Sequence, residues 1–156
     1  EETYEIECPK CGDVICFEVA YDDVVRDTVT GGGRLIVVQT NNATFNNAEA
    51  LQQLAMVRLR AVEHGMPALM ASTVGVSGFV DRDGRVSGAT EFFTEAVVVR
   101  QVRPGDGTTV ATRVGRWPEA VLVLLAVSVL VTAGLLRRSA RRATGDAGSP
   151  AETEER

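Results

Sequence analysis

The stretch DVICFEVAYDD, Asp13 to Asp23, decides how the rest of the chain is read. It places one thiol, Cys16, at the end of a short apolar run and a carboxylate, Glu18, two residues later. Asp13 to Cys16 reads as a short strand. YDDVVRDTV then reads as a brief helix with an acidic first turn, stopped by Gly31, Gly32 and Gly33. A thiol at a strand-to-helix turn is held rigidly, and the N-terminus of the following helix favours its thiolate. That is the geometry of a nucleophile elbow with cysteine in place of serine. Such a nucleophile needs a general base and an oxyanion stabiliser. Taken alone, such a cysteine is more often a buried core residue.

Outward from this stretch the chain alternates strand and helix. RLIVVQT, Arg34 to Thr40, is a continuous apolar run bounded by turn residues, the pattern of a fully buried strand. NNATFNN is a polar loop whose last asparagines can cap a helix. That helix is expected from Ala48 to about His64, with Ala48, Leu51, Ala55, Leu59 and Val62 forming its apolar stripe, and Gly65 and Pro67 ending it. ALMASTVGVSGFV supplies one or two strands, DRDG (Asp81 to Gly84) a turn, and RVSGAT and EAVVVRQV two more strands. RPGDGTT is a loop. The order implies an α/β layered fold with an antiparallel portion late in the chain.

Composition narrows the class. The 156 residues suit one domain of ordinary size, 45% are hydrophobic, and the net charge of −5 argues against a nucleic-acid partner. Ala120 to Leu136, AVLVLLAVSVLVTAGLL, carries no charge. With Trp117 and Pro118 it approaches the roughly 20 residues that span a bilayer core. Trp117 stands where an interfacial anchor would, and Arg137, Arg138, Arg141 and Arg142 follow, which by the positive-inside rule makes that end cytoplasmic. A buried core helix would rarely be followed by four arginines and the polar tail ATGDAGSPAETEER, which reads as disordered.

The three cysteines are Cys8, Cys11 and Cys16. Cys8-Pro-Lys-Cys11-Gly resembles half of a zinc ribbon, but structural zinc wants four ligands and only Cys16 and the single His64 remain. A redox CxxC wants a helix beginning at the motif, whereas a glycine and a strand follow here. Cys8 and Cys11 are otherwise incidental, or paired in a disulfide outside the cytoplasm. His64, at the end of an amphipathic helix, reads as a C-terminal polar residue favoured by the helix dipole and not as a base.

VICFEV resembles the cysteine motif of the nitrilase superfamily, usually ICYE. VRD at 25–27, TNNATF at 40–45, RLRAVEHGMP at 58–67, STVGVSGFVDRDGRV at 72–86 and TTVATRVGRWP at 108–118 together resemble the apolipoprotein N-acyltransferase family, over roughly Asp13 to Leu136. The resemblance implies the C-terminal part of a nitrilase-like αββα sandwich followed by one transmembrane helix. It implies an atypical or foreign leader at 1–12, a catalytic segment at 13–116, a membrane helix at 117–136 and a cytoplasmic tail at 137–156. It also implies ping-pong covalent catalysis. An acyl chain passes from a phospholipid to a cysteine thioester, then to the N-terminal diacylglyceryl-cysteine of a lipoprotein, without a metal or other cofactor. Cys16 matches the nucleophile, and Glu18 a glutamate that supports the active site. Phe17, where tyrosine is common, shapes the pocket; Asn41 and Asn42 belong to the substrate-binding loop. Asn42 stands where aspartate is frequent, Thr44 where an aromatic is, and Asn46 where glycine is. The family's glutamate base and lysine are expected upstream of residue 1, and Lys10 fits neither, so the chain alone is expected to be inactive. The implied location is the bacterial cytoplasmic membrane, in a multi-pass protein with its catalytic domain on the outer face. The alternatives are a membrane-tethered nitrilase-type amidase using the same Cys16, and a zinc-ribbon membrane adaptor built on Cys8 and Cys11.

Overall fold

The computed structural model describes residues 10–145. The first strand, β1 (Cys11–Ile15), ends in a 3-10 turn (Cys16–Ala20), and α1 (Asp22–Thr30) follows. Then come β2 (Leu35–Thr40), α2 (Asn47–His64), β3 (Ala68–Ser72), β4 (Gly78–Val80), β5 (Val86–Ser87), α3 (Val110–Val114) and α4 (Trp117–Gly145). The five strands form one sheet in sequence order. β1, β2 and β3 are parallel; β4 and β5 add antiparallel strands at one edge.

The two βαβ crossovers advance in one direction, and the right-handed rule for such units puts α1 and α2 on the same face of the sheet. The register makes that face. Gly12, Ile36 and Ala68 are aligned across β1, β2 and β3, as are Val14, Val38 and Met70. All of these except Gly12 belong to the hydrophobic core, with Val25 and Val29 of α1 and Leu54, Val57 and Ala61 of α2 packed against them. Gly12 is required by close approach, since a β-carbon there would collide with the Thr28 methyl and meet Gly33 at 3.6 Å. On the opposite face Asp13, Ile15, Gln39 and Ala71 are exposed.

Helix ends follow their local chemistry. Asn46 caps α2 by accepting from the Glu49 N–H at 3.0 Å, while the Glu49 carboxylate accepts from the Asn46 N–H at 2.8 Å, a reciprocal capping box. Gly65 closes α2 in the left-handed conformation at φ 62°.

Six expectations change. The stripe Ala48, Leu51, Ala55, Leu59, Val62 is the outer face of α2, with Leu59 61% exposed. The buried face is Ala50, Gln53, Leu54, Val57, Arg60, Ala61 and His64. Its polar members find partners on the sheet, the 3-10 turn and α3, so polarity did not mark the solvent side. EAVVVRQV forms no strand, and Val99 is 91% exposed. β-Propensity is realised only against a neighbouring strand, and β5 pairs over just two residues. β1 takes in Cys11 and Gly12, residues assigned to a foreign leader; the rest of that leader, including Cys8, lies outside the described residues. At the other end α4 continues to Gly145, so residues 137–145 are helical; the tail from 146 on lies outside the described residues. RVSGAT keeps only Val86 and Ser87 as strand, and α3 was not anticipated.

The chain divides into two units, with the boundary between Gly115 and Arg116. The second unit contains Trp117–Arg138, 22 residues long and apolar enough to cross a membrane. Its Ser128 and Thr132 hydroxyls donate to the Leu124 and Ser128 carbonyls at 2.7 and 2.8 Å, so neither needs water.

Candidate active site

Parallel strands deliver their last residues to one edge of the sheet, where α/β folds place their sites. Ile15, Gln39 and Ala71 are aligned across β1, β2 and β3. One step further, Cys16, Thr40 and Ser72 therefore line the carboxyl edge side by side. Cys16 has φ 53°, one of two non-glycine residues with positive φ among those described. A side chain at such a φ is strained, and an elbow that aims a nucleophile out of the sheet is a recurring reason for it. Cys16 is half-buried and is the free cysteine among the described residues. It opens the 3-10 turn; α1 begins only at Asp22, so the helix-dipole support expected from the sequence does not reach it.

Glu18 closes the elbow on itself. Its carboxylate accepts from the Ile15 N–H at 2.8 Å, across the residue that carries the thiol. Val19 and Ala20, at the far end of the turn, are held by Arg60 of α2. Its Nε donates to the Val19 carbonyl and its Nη2 to the Ala20 carbonyl, both at 2.9 Å. Arg60 also pairs with Asp22 and with Glu63, the latter at 2.5 Å. Burial pulls its guanidinium down, but the hydrogen bonds and charges of Glu63 and Asp22 outweigh that and hold it above its ordinary value.

Beneath the thiol lies a buried amide network. Thr40 Oγ1 is 3.4 Å from Cys16 Sγ and 3.2 Å from Gln53 Oε1. Asn42 Nδ2 donates to Gln53 Oε1 at 2.7 Å and reaches Thr40 Oγ1 at 3.4 Å. Gln53 Nε2 donates to the Cys16 carbonyl at 2.9 Å. Asn42 Oδ1 accepts from the Ser72 hydroxyl at 2.6 Å, and Ser72 Oγ accepts from the Gly75 N–H at 2.8 Å.

Of the residues singled out in the sequence, Cys16, Glu18 and Asn42 meet here. Phe17 is an exposed rim residue, its ring edge-to-face with Tyr21 at 6.3 Å. Asn41 braces its own loop, accepting from the Ala43 N–H and the Thr73 hydroxyl, both at 3.0 Å. Thr40, Gln53, Ser72 and Arg60 were missed. Gln53, Arg60 and His64 fall on one helical face, which was the available signal.

His64 is 11 residues beyond Gln53 on α2, about 16 Å along the axis at 1.5 Å per residue, so it does not serve Cys16. It is 1% exposed, with Nδ1 2.9 Å from Thr112 Oγ1. Thr109 gives its one hydroxyl proton to the Glu63 carbonyl, so it accepts from the Thr112 hydroxyl at 3.0 Å. Thr112 has no proton left, which places a proton on His64 Nδ1; Nε2 is buried without a hydrogen bond, 3.7 Å from the Glu63 carboxylate. Cys11 is disulfide-bonded.

Residues 2–112 match the family model for carbon-nitrogen hydrolase. The chain belongs to the carbon-nitrogen hydrolase family. Among curated carbon-nitrogen hydrolase relatives it is 40% identical over 122 residues to the apolipoprotein N-acyltransferase of Mycolicibacterium smegmatis, covering 78% of this chain and 20% of that protein. It is 36% identical over 107 residues to the apolipoprotein N-acyltransferase of Geobacter metallireducens, covering 68% of this chain and 20% of that protein. The chain thus spans about a fifth of the length of these relatives. Saccharomyces cerevisiae Nit3, a member of branch 10 of the nitrilase superfamily, overlaps 53% of this chain and 34% of its own at 18% identity, with a TM-score of 0.47. At that score the overlap does not by itself define a fold.

Proposed function

We propose that this chain carries the nucleophilic elbow and a membrane helix of an apolipoprotein N-acyltransferase. The observation that carries the reading is the 40% identity to such a relative over 122 residues, beside the carbon-nitrogen hydrolase match over residues 2–112, which takes in the Cys16 elbow. Cys16 is the nucleophile, and Glu18 and Arg60 hold the turn that presents it. In the first half-reaction the Cys16 sulfur bonds the acyl carbonyl carbon of a phospholipid, and the lysophospholipid alkoxide leaves and takes a proton. In the second, the α-amino group of a diacylglyceryl-cysteine bonds the same carbon, expelling the Cys16 thiolate and losing a proton. The glutamate base and the lysine implied by the resemblance correspond to no residue assigned in this chain. Glu18 is occupied by the Ile15 N–H and is a brace. Phe17 and Tyr21 offer an apolar rim where an acyl chain could lie, and Asn41 shapes the adjoining loop.

A donor anchored in lipid requires its enzyme at the membrane, since each buried CH₂ is worth about 0.8 kcal/mol. α4 serves that need. Arg137 and Arg138 set its C-terminal end in the cytoplasm and the elbow unit outside, in the bacterial cytoplasmic membrane.

The test is an acyl-thioester trap on the complete open reading frame that encodes this chain, with labelled phospholipid and a diacylglyceryl peptide. A hydroxylamine-sensitive acyl adduct is expected, absent from Cys16→Ala. An adduct surviving Cys16→Ala, or turnover of a soluble amide with no transfer to the peptide amine, would overturn the reading; the second result points to an amidase.

A further inference from the structure

From the network beneath the elbow we infer that Thr40 is the hydrogen-bond donor to the Cys16 sulfur, and that Asn42 and Gln53 set the direction of its single proton. The inference rests on Cys16 being the nucleophile. Thr40 is the last residue of β2 and is buried, so its hydroxyl has no water to turn to. Two acceptors compete for its proton, Gln53 Oε1 at 3.2 Å and Cys16 Sγ at 3.4 Å.

Asn42 biases that competition. Its carbonyl oxygen accepts from the Ser72 hydroxyl, whose oxygen is held by the Gly75 N–H, so a flipped Asn42 amide would lose the Ser72 proton and set its oxygen against Gln53 Oε1. The Asn42 Nδ2 group therefore faces inward. One N–H takes the near lone pair of Gln53 Oε1 at 2.7 Å, and the other is directed at the oxygen of Thr40. Gln53 Oε1 already accepts the shorter bond and keeps one lone pair as a competitor, and Thr40 already has an acceptor role. What remains for Thr40 is to donate, and the sulfur is the acceptor without another side-chain partner in this network. Gln53 completes the arrangement by holding the Cys16 carbonyl with its Nε2, which fixes the backbone from which the sulfur projects.

The consequence is directional. A sulfur bearing negative charge accepts such a bond more strongly than a neutral one. Thr40 thus supports the sulfur when it attacks and again when it departs from a thioester. In the thioester itself the sulfur is a poor acceptor, and the Thr40 proton can turn to Gln53. Thr40 touches the reacting atom, while Asn42 and Gln53 are positioning residues that act through it.

The experiment measures the rate of Cys16 carboxamidomethylation by iodoacetamide at one fixed pH, by mass of the peptide that holds Cys16, on the product of the complete open reading frame that encodes this chain, in detergent without reductant. Parent, Thr40→Ser, Thr40→Val and Cys16→Ser are compared, with thermal midpoints taken in parallel. Thr40→Val is expected to slow labelling about tenfold, and Thr40→Ser to stay within about twofold of parent, because serine restores the donor. A merely structural Thr40 would give equal rates in the parent and the folded Val variant, and that result overturns the proposal. So would a Ser variant as slow as Val. If Thr40→Val does not fold, Thr40→Ala against Thr40→Ser carries the same comparison. Failure of the acyl-thioester trap with intact Thr40 dependence would instead discredit the acyltransferase reading and leave the donor assignment standing.

Discussion

At the scale of single residues, Asn42 is the most constrained side chain in the site. The resemblance puts aspartate frequently at this position, yet here an aspartate would be wrong. Gln53 presents its carbonyl oxygen to position 42 because its Nε2 is committed to the Cys16 carbonyl. A carboxylate facing that oxygen would repel it, turn the Gln53 amide over and release the elbow backbone. Position 42 is also fully buried, so the charge would be desolvated without a cation beside it. Asn42→Asp is therefore expected to cost about 2–4 kcal/mol of stability, read as a lowered thermal midpoint, and to slow Cys16 alkylation as Thr40→Val does. An Asn42→Asp chain as stable and as reactive as the parent would show that the network is not oriented as described. Cys16 and Glu18 were legible in the sequence because their relation is local, three residues of turn. Thr40 and Gln53 were not, since they meet Cys16 across 24 and 37 residues of chain. No periodicity encodes such a meeting; it follows from strand order and register.

At the scale of elements, α2 explains both the success and the failure of pattern reading. Its ends were legible from an Asn cap and a Gly stop. Its face was not, because the core side carries Gln53, Arg60 and His64 and the solvent side carries Leu51, Leu59 and Val62. Two ladders of i, i+3 and i+4 residues exist on the helix, and hydrophobicity alone chose the wrong one. The polar ladder does specific work, with Gln53 and Arg60 holding opposite ends of the 3-10 turn and His64 tying α2 to α3. Burial lowers the His64 pKa from 6.5, Glu63 opposes that, and Arg60 adds to it; Asp22 raises it slightly and Arg26 lowers it slightly. The sign follows from proton counting. Below about 6.5 the unfolded chain binds the His64 proton while the folded chain resists it, so stability is held above that value and lost as pH falls through the lowered native value. Thermal midpoints taken between pH 7.5 and 5.5 should fall with pH. His64→Asn keeps an N–H donor for Thr112 and removes the titration, so its midpoint should fall less over the same range. Parallel falls in both proteins would assign the pH dependence to other groups.

At the scale of the whole molecule, the long apolar helix at 117–138 was the most legible feature, since its determinant is local composition. The strand expected over EAVVVRQV failed for the opposite reason, because a strand needs a partner that composition cannot supply. The consequence for α4 is open to a direct test. The 22-residue span Trp117–Arg138 centres on Val127, whose side chain is exposed, and the helix keeps its hydroxyls internally bonded. An arginine at the centre of a spanning helix costs about 3 kcal/mol of insertion free energy, more than a hundredfold in partition. A basic residue near the helix end costs far less, because its side chain reaches the headgroups. Val127→Arg should therefore move the chain from the carbonate-resistant membrane fraction to the soluble or aggregated fraction, while Glu119→Arg, at the start of α4, should leave it in the membrane. If Val127→Arg remains as carbonate-resistant as the parent, α4 does not lie in hydrocarbon. The acyltransferase reading would then need another surface by which the elbow unit meets a lipid-borne donor.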